Sequence, residues 1–154
     1  MRVPGRLNIT WADDNTLKIE MDAGTQTRLV HFNAPVPAGT PKSLQGYSSA
    51  TWEVGGRGGG GRGGGGAAPA GPRWGSLNVT TTNMSSGYLL SSRSAYSDNA
   101  AMTEYFQKHS DFGVDYLTVT ATLADGNNTR TVSSTFKKEP NGSKFKPTGC
   151  EVVR

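Results

Sequence analysis

The stretch VDYLTVTATLADGNNTRTVSSTFKK, from Val114 to Lys138, decides the fold class. Its first half alternates threonines with four aliphatic residues, Leu117, Val119, Ala121 and Leu123. Because strand side chains alternate faces, one face is aliphatic and the other is threonine. Asp125-Gly126-Asn127-Asn128 provides residues typical of tight turns, and Thr129 to Lys138 predicts the return strand. The stretch therefore predicts an antiparallel hairpin.

The same period-two alternation recurs along most of the chain. It predicts further strands at 7–11, 17–21, 26–32, 46–54, 77–82 and 87–92. Residues 102–109 are ambiguous by period, and their position between strands favours a strand over one or two helical turns. No segment predicts a long helix. About eight to ten short strands joined by turn residues indicate an all-β fold, either an antiparallel sandwich or an antiparallel up-and-down barrel. We expect the barrel, because consecutive strands read as a meander without a Greek-key crossover and because closure removes exposed sheet edges.

The chain length and one low-complexity tract define the domain organisation. The 154 residues suffice for a single domain, which we predict to span 1–154. Residues 55–75, GGRGGGGRGGGGAAPAGPRWG, predict a flexible glycine-rich loop between two strands, because nothing in the tract offsets the entropy of ordering glycine.

Charge and hydropathy exclude some partners. The 16 basic residues exceed the 12 acidic ones by a net charge of +4, which does not indicate nucleic-acid binding. No apolar run reaches the roughly 18–20 residues that cross a bilayer. The single cysteine, Cys150, cannot form a disulfide within the chain. The sequence leaves open the oligomeric state and whether Cys150 pairs with another chain.

Catalytic and metal-binding patterns are missing from the sequence. His31 and His109 are the only histidines and lie in no metal-binding spacing, and no nucleophile elbow, P-loop or dinucleotide fingerprint occurs. We therefore predict no catalytic residue, metal or cofactor, and we favour a non-enzymatic protein.

One constellation indicates a binding site. Glu104, Arg28 and Arg130 lie in predicted strands with apolar neighbours on the same face, and a buried carboxylate must be paired or protonated. An interior Arg–Glu pair would be either a structural brace or an anchor for a polar ligand group, and we take Arg28 and Glu104 as the polar anchors. With them we predict a pocket lined by some of the aromatic residues Trp11, Trp52, Tyr88, Tyr105 and Phe106.

Two segments carry a resemblance to a known family. GRLNITWADDNTLKIEMDAGTQTRLVHF, at 5–32, and MTEYFQKHSDFGVDYLTVTATLADGNNTRTVSSTFKKE, at 102–139, resemble bacterial proteins with a lipocalin-like, or calycin-like, β-barrel. In that family a T-E-x-F strand precedes an extended hairpin, as Thr103 to Phe106 does here. The resemblance implies export, hence a periplasmic or extracellular location after removal of a leader; without a leader the location is cytoplasmic.

Three functional hypotheses follow. We favour a lipocalin-like module that binds a small apolar or amphipathic ligand in the barrel cavity. The first alternative is a structural or surface β module with a filled core. The second is a small barrel enzyme that uses an interior acid–base residue.

Overall fold

A computed structural model describes residues 5–54, 75–88 and 95–149 of the chain. Within these ranges it has ten β-strands and no helix. The strands are β1 (Leu7–Asp13), β2 (Thr16–Met21), β3 (Gln26–Phe32), β4 (Tyr47–Val54), β5 (Gly75–Thr82), β6 (Gly87–Tyr88), β7 (Ala95–Tyr96), β8 (Ala101–Asp111), β9 (Val114–Asp125) and β10 (Asn128–Lys137). The all-β prediction is confirmed. No helix in the described part is long and apolar enough to span a membrane.

The hairpin β9–β10 forms as the sequence predicts. Asn128 pairs with Asp125, and Leu117 pairs with Phe136 at the far end of the ladder. Gly126 adopts a φ of 57° in the connecting turn. On the outer face three pairs of hydroxyl groups bridge the strands at 2.8 to 2.9 Å: Thr118–Thr135, Thr120–Ser133 and Thr122–Thr131. The threonine face is therefore convex and the aliphatic face is turned to the core.

Eight strands form one strongly curled sheet, a half-barrel, in the order β1-β2-β3-β4-β5-β8-β9-β10. Strands β6 and β7 pair separately. The purely antiparallel prediction is wrong at one place, because β3 and β4 pair in parallel. Residues 33–46, which include Pro35, Pro37 and Pro41, carry the chain back along the sheet instead of forming a tight turn. Such a return takes about a dozen residues or more, which this connection provides.

The first and last strands approach each other without pairing. No ladder among the described residues joins β1 to β10, so the sheet stops short of a closed barrel. Residues 138–148 cross this gap. Lys138 N donates to Asp115 O at 2.8 Å, and Thr148 N donates to Asp22 O at 2.8 Å at the end of β2. The C-terminal segment therefore ties the last strand to the first hairpin.

Two apolar clusters fill the concave side of the sheet. The larger includes Leu17, Ile19, Val30, Phe32, Ala50, Leu77, Val79, Phe106 and Val119. The smaller contains Met84, Ala100 and Leu123, with Tyr96 and Met102 packed against it. The glycine-rich loop predicted at 55–75 lies outside the described residues up to position 74, and Gly75 begins β5. Residues 89–92 of the predicted strand at 87–92 and Cys150 also lie outside them.

The crossover connection is fastened where it meets β5. Ser43 N donates to Asn83 O at 3.2 Å, and Ser85 N donates to Ser43 O at 2.8 Å. Gly46 ends the connection with a φ of 63°, so close to β5 that a Cβ would overlap the Thr82 carbonyl oxygen and lie 2.7 Å from Met84 Cγ. Only glycine fits at this contact.

Replacing Gly46 with alanine tests this contact. Gly126→Ala is the matched control, because Gly126 also has a positive φ but a Cβ there meets nothing within 4 Å. We expect the control to lower the free energy of unfolding by about 1–2 kcal/mol, the cost of a left-handed residue. Gly46→Ala should cost about 1–3 kcal/mol more, because overlap adds to strain. Equal midpoints in urea denaturation would contradict the close approach.

Candidate functional site

A buried polar cluster joins four strands on the concave side. Arg28 Nε donates to Ser48 Oγ at 2.9 Å, and Arg28 Nη2 donates to Thr81 Oγ1 at 2.6 Å. The two hydroxyl groups are themselves 2.9 Å apart and share a hydrogen bond. Arg28 Nη2 also lies 2.5 Å from Glu104 Oε2, whose side chain is 1% exposed. The structure therefore brings together the two charged residues that the sequence singled out.

The ion pair is close, but one carboxylate oxygen is incompletely satisfied. Glu104 Oε2 has no aligned hydrogen bond among the described residues, although it lies beside the guanidinium. The short distance between Arg28 Nη2 and Glu104 Oε2 establishes the charge pairing. Because no N–H group is aligned with Oε2, this oxygen can still accept a hydrogen bond. Arg28 has donor capacity to match, because no described residue accepts from its Nη1.

The polar cluster lies between the two apolar clusters. Along β8 the inward residues are Met102, Glu104 and Phe106, and along β5 they run from Val79 through Thr81 toward Met84. Along β8 an apolar side chain therefore lies on each side of Glu104. Along β5 Thr81 follows Val79, and Met84 lies just beyond the end of the strand. A pocket of about 280 Å³ borders the cluster on the side of the smaller apolar cluster. Its lining includes Met21, Arg28, Leu44, Met84, Met102 and Glu104.

None of the five aromatic residues predicted from the sequence lines this pocket. Phe106 is buried in the larger cluster, and Trp52 stacks on Phe32 with ring centroids 5.9 Å apart. Trp11 also contacts the Phe32 ring but is 55% exposed. The predicted placement of Tyr105 and Tyr88 in the pocket does not hold. Tyr105 is on the convex face because it alternates with Glu104 and Phe106, and Tyr88 is on the separate β6–β7 ribbon, 66% exposed.

A larger groove, which sequence reasoning missed, lies between β1 and β10. Its volume is about 890 Å³. Apolar side chains from both edge strands, from β9 and from the C-terminal segment border it: Leu7, Ile9, Leu117, Phe136 and Phe145. Three of these, Leu7, Leu117 and Phe136, pack against the larger core cluster, so the apolar lining of the groove is continuous with the core.

Strand stagger brings these distant residues together. One row of paired residues crosses all eight strands of the sheet, through Trp11, Leu17, Val30, Ser48, Thr81, Met102, Leu123 and Arg130. Leu7 and Ile9 nevertheless line the groove with Phe136, not with Arg130. An offset of this kind is expected when strands tilt around a barrel axis. The alternation of apolar and polar side chains in β1 and in β10 can be read from the sequence. The offset that brings the two strands' apolar residues together cannot.

Basic side chains surround the groove. Arg6, Lys108, Lys137 and Lys138 border it, against the acidic residues Asp115 and Glu139. Both acids are already paired: Lys138 Nζ is 3.1 Å from Asp115 Oδ2, and Lys144 Nζ is 3.1 Å from Glu139 Oε1. The Ser110 hydroxyl, followed by Lys138, lowers the pKa of Asp115 to about 2, so this carboxylate stays ionised at neutral pH.

The remaining chemistry of the described residues is limited. No group of three His, Cys, Asp or Glu side chains forms a metal-binding arrangement among them. His31 stacks on Tyr47, and His109 stacks on Tyr116, with centroids 4.8 and 5.5 Å apart. Comparison of the chain with protein-family models, curated proteins and solved structures finds no match. The functional argument therefore depends on the two cavities.

Truncating one member of the buried ion pair should be costly. We expect Arg28→Ala and Glu104→Ala each to lower the free energy of unfolding by about 3–5 kcal/mol, because the other charge is left buried. The double variant Arg28→Met/Glu104→Leu should recover most of this loss. Lys42→Ala, which breaks the exposed Lys42–Asp98 pair, is the control and should cost less than about 1 kcal/mol. Urea denaturation measures all four, and single-variant losses as small as the control would contradict the brace.

Proposed function

We propose that this protein is a binding module for a single-chain amphiphile with an acidic head group, held in the groove between β1 and β10. The observation that carries the proposal is a groove of about 890 Å³ with an apolar lining continuous with the core and a basic rim. That volume lies within the roughly 300–1,000 Å³ typical of small-molecule sites.

The apolar lining supports a hydrocarbon ligand. Leu7, Leu117 and Phe136 are only partly buried, and Ile9 is 37% exposed. A chain lying along them would remove apolar surface of both partners from water, at roughly 25 cal/mol per Å². Phe145, in the segment that crosses the gap, contributes a further apolar wall.

The rim supports an acidic head group. Of the four basic residues around the groove, Lys137 has no ion-pair partner among the described residues, while Lys108 and Lys138 share Asp115. An added anion would therefore meet an excess of positive charge. A cationic head group would be repelled there, so the basic rim favours anionic ligands over cationic ones.

The groove also supports a relation to lipocalin-like barrels. It lies where the curled sheet would close, and the stagger across it matches the tilt of barrel strands. We propose that the fold is an open variant of that barrel, in which the ligand fills the gap between the first and last strands.

Laurate binding measured by isothermal titration calorimetry tests the function. Laurate should bind at a ratio of one, and dodecylammonium, with the same chain length and the opposite charge, should bind on the order of tenfold more weakly. Lys137→Gln/Lys138→Gln should weaken laurate binding by roughly tenfold and reduce its salt dependence. Lys18→Gln/Lys42→Gln makes the same charge change away from the groove and should have little effect.

A second variant separates the apolar contribution from the charge contribution. Phe145→Ser should weaken laurate and dodecylammonium alike, because it removes chain contact and leaves the rim intact. Equal affinity of the protein for both head groups, or equal loss in the two double-lysine variants, would overturn the groove as the site. No binding of either amphiphile would favour the alternative of a structural module.

A further inference from the structure

The pocket beside the Arg28–Glu104 pair is a separate cavity from the groove. Its volume is about 280 Å³, and none of the described residues that line it also lines the groove. Three methionines form much of its apolar wall, Met21, Met84 and Met102, and the rest comes from Ile19, Leu44, Tyr96 and Leu123. Unbranched methionine side chains adjust to differently shaped ligands. The pocket therefore has the walls of a small-molecule site.

The polar side of this pocket is electrically neutral. Arg28 and Glu104 offset each other at 2.5 Å, and the two glutamines that also line the pocket, Gln26 and Gln45, are uncharged. A ligand carboxylate placed here would be a third buried charge without a partner, which is costly in a buried site. The Arg28–Glu104 pair, for which the sequence left open a role as an anchor for a polar ligand group, thus disfavours a ligand carboxylate.

The same pair retains one donor and one acceptor for a ligand. Glu104 Oε2 is buried without an aligned hydrogen bond, and Arg28 Nη1 has no acceptor among the described residues. A neutral group that both accepts and donates would complement them. A primary amide does so through its carbonyl oxygen and its N–H.

We propose that this pocket binds a small uncharged molecule that has an apolar body and a head group able to donate and accept hydrogen bonds, of which a primary amide is the simplest. The inference does not rest on the groove, since no described residue lines both cavities and the two differ in the charge they favour. The buried Arg28–Glu104 pair then has two roles, as a brace between strands and as the polar wall of a neutral site.

Methyl NMR of methionine tests the proposal with a matched pair of ligands. Three of the four methionines of the chain line this pocket, and no methionine of the described residues lines the groove. We expect hexanamide to shift the methyl signals of Met21, Met84 and Met102 saturably. Hexanoate has nearly the same shape but a negative charge, and should bind on the order of tenfold more weakly.

Two variants separate the roles of charge and shape. In Glu104→Gln the guanidinium loses its counter-ion, so the preference should reverse and hexanoate should bind more tightly than hexanamide. If that variant does not fold, Leu44→Ser gives an independent test, because Leu44 is 70% exposed at the pocket and its loss should spare the fold. It should weaken hexanamide binding by roughly tenfold through lost apolar contact.

Three results would overturn the inference: no methionine shift with hexanamide at its solubility limit, equal affinity for hexanamide and hexanoate in the natural protein, or unchanged hexanamide affinity in Leu44→Ser. Each can occur while laurate still binds the groove, and loss of laurate binding leaves the methionine experiment unaffected. The two proposals therefore fail separately.

Discussion

The buried contact between Arg28 and Glu104 is the constraint on which the rest of the structure depends. A carboxylate that is 1% exposed must have its cation in place, and that cation also needs Ser48 and Thr81. These four side chains belong to β3, β4, β5 and β8, so the contact can form only if all four strands are in register. The parallel pairing of β3 with β4 is part of this requirement, because it sets Ser48 opposite Val30 and hence near Arg28.

The same constraint organises the two cavities. The polar cluster divides the concave side into a larger apolar cluster and a smaller, methionine-lined one beside which the small pocket lies. The larger cluster extends to Leu7 and Phe136 on the edge strands, where the sheet does not close, and there it forms the apolar lining of the groove. One cavity has a neutral polar wall and the other a basic rim, so the two proposed sites would favour ligands of different charge.

The local features of this fold were predictable from the sequence and the long-range ones were not. The alternation in Val114 to Lys138 determines its faces without reference to the rest of the chain, so the hairpin and the all-β class followed directly. The Arg28–Glu104 site also followed, because an isolated charge among inward apolar residues needs a partner. The alternation of faces should also have excluded Tyr105 from the pocket, because it lies between Glu104 and Phe106 in one strand and therefore points to the opposite face. The β3–β4 crossover and the groove depend on how distant strands align, which no single segment encodes.

The most direct test of the account is a map of backbone amide chemical shifts in ¹⁵N-labelled protein saturated with laurate. We expect the largest changes in two stretches far apart in sequence, Leu7–Ile9 and Thr135–Lys138, because only the staggered approach of β1 and β10 brings them to one ligand. The amides of Arg28 and Glu104 should change little. Changes confined to one of the two stretches, or centred on Arg28 and Glu104, would contradict a binding groove between the first and last strands.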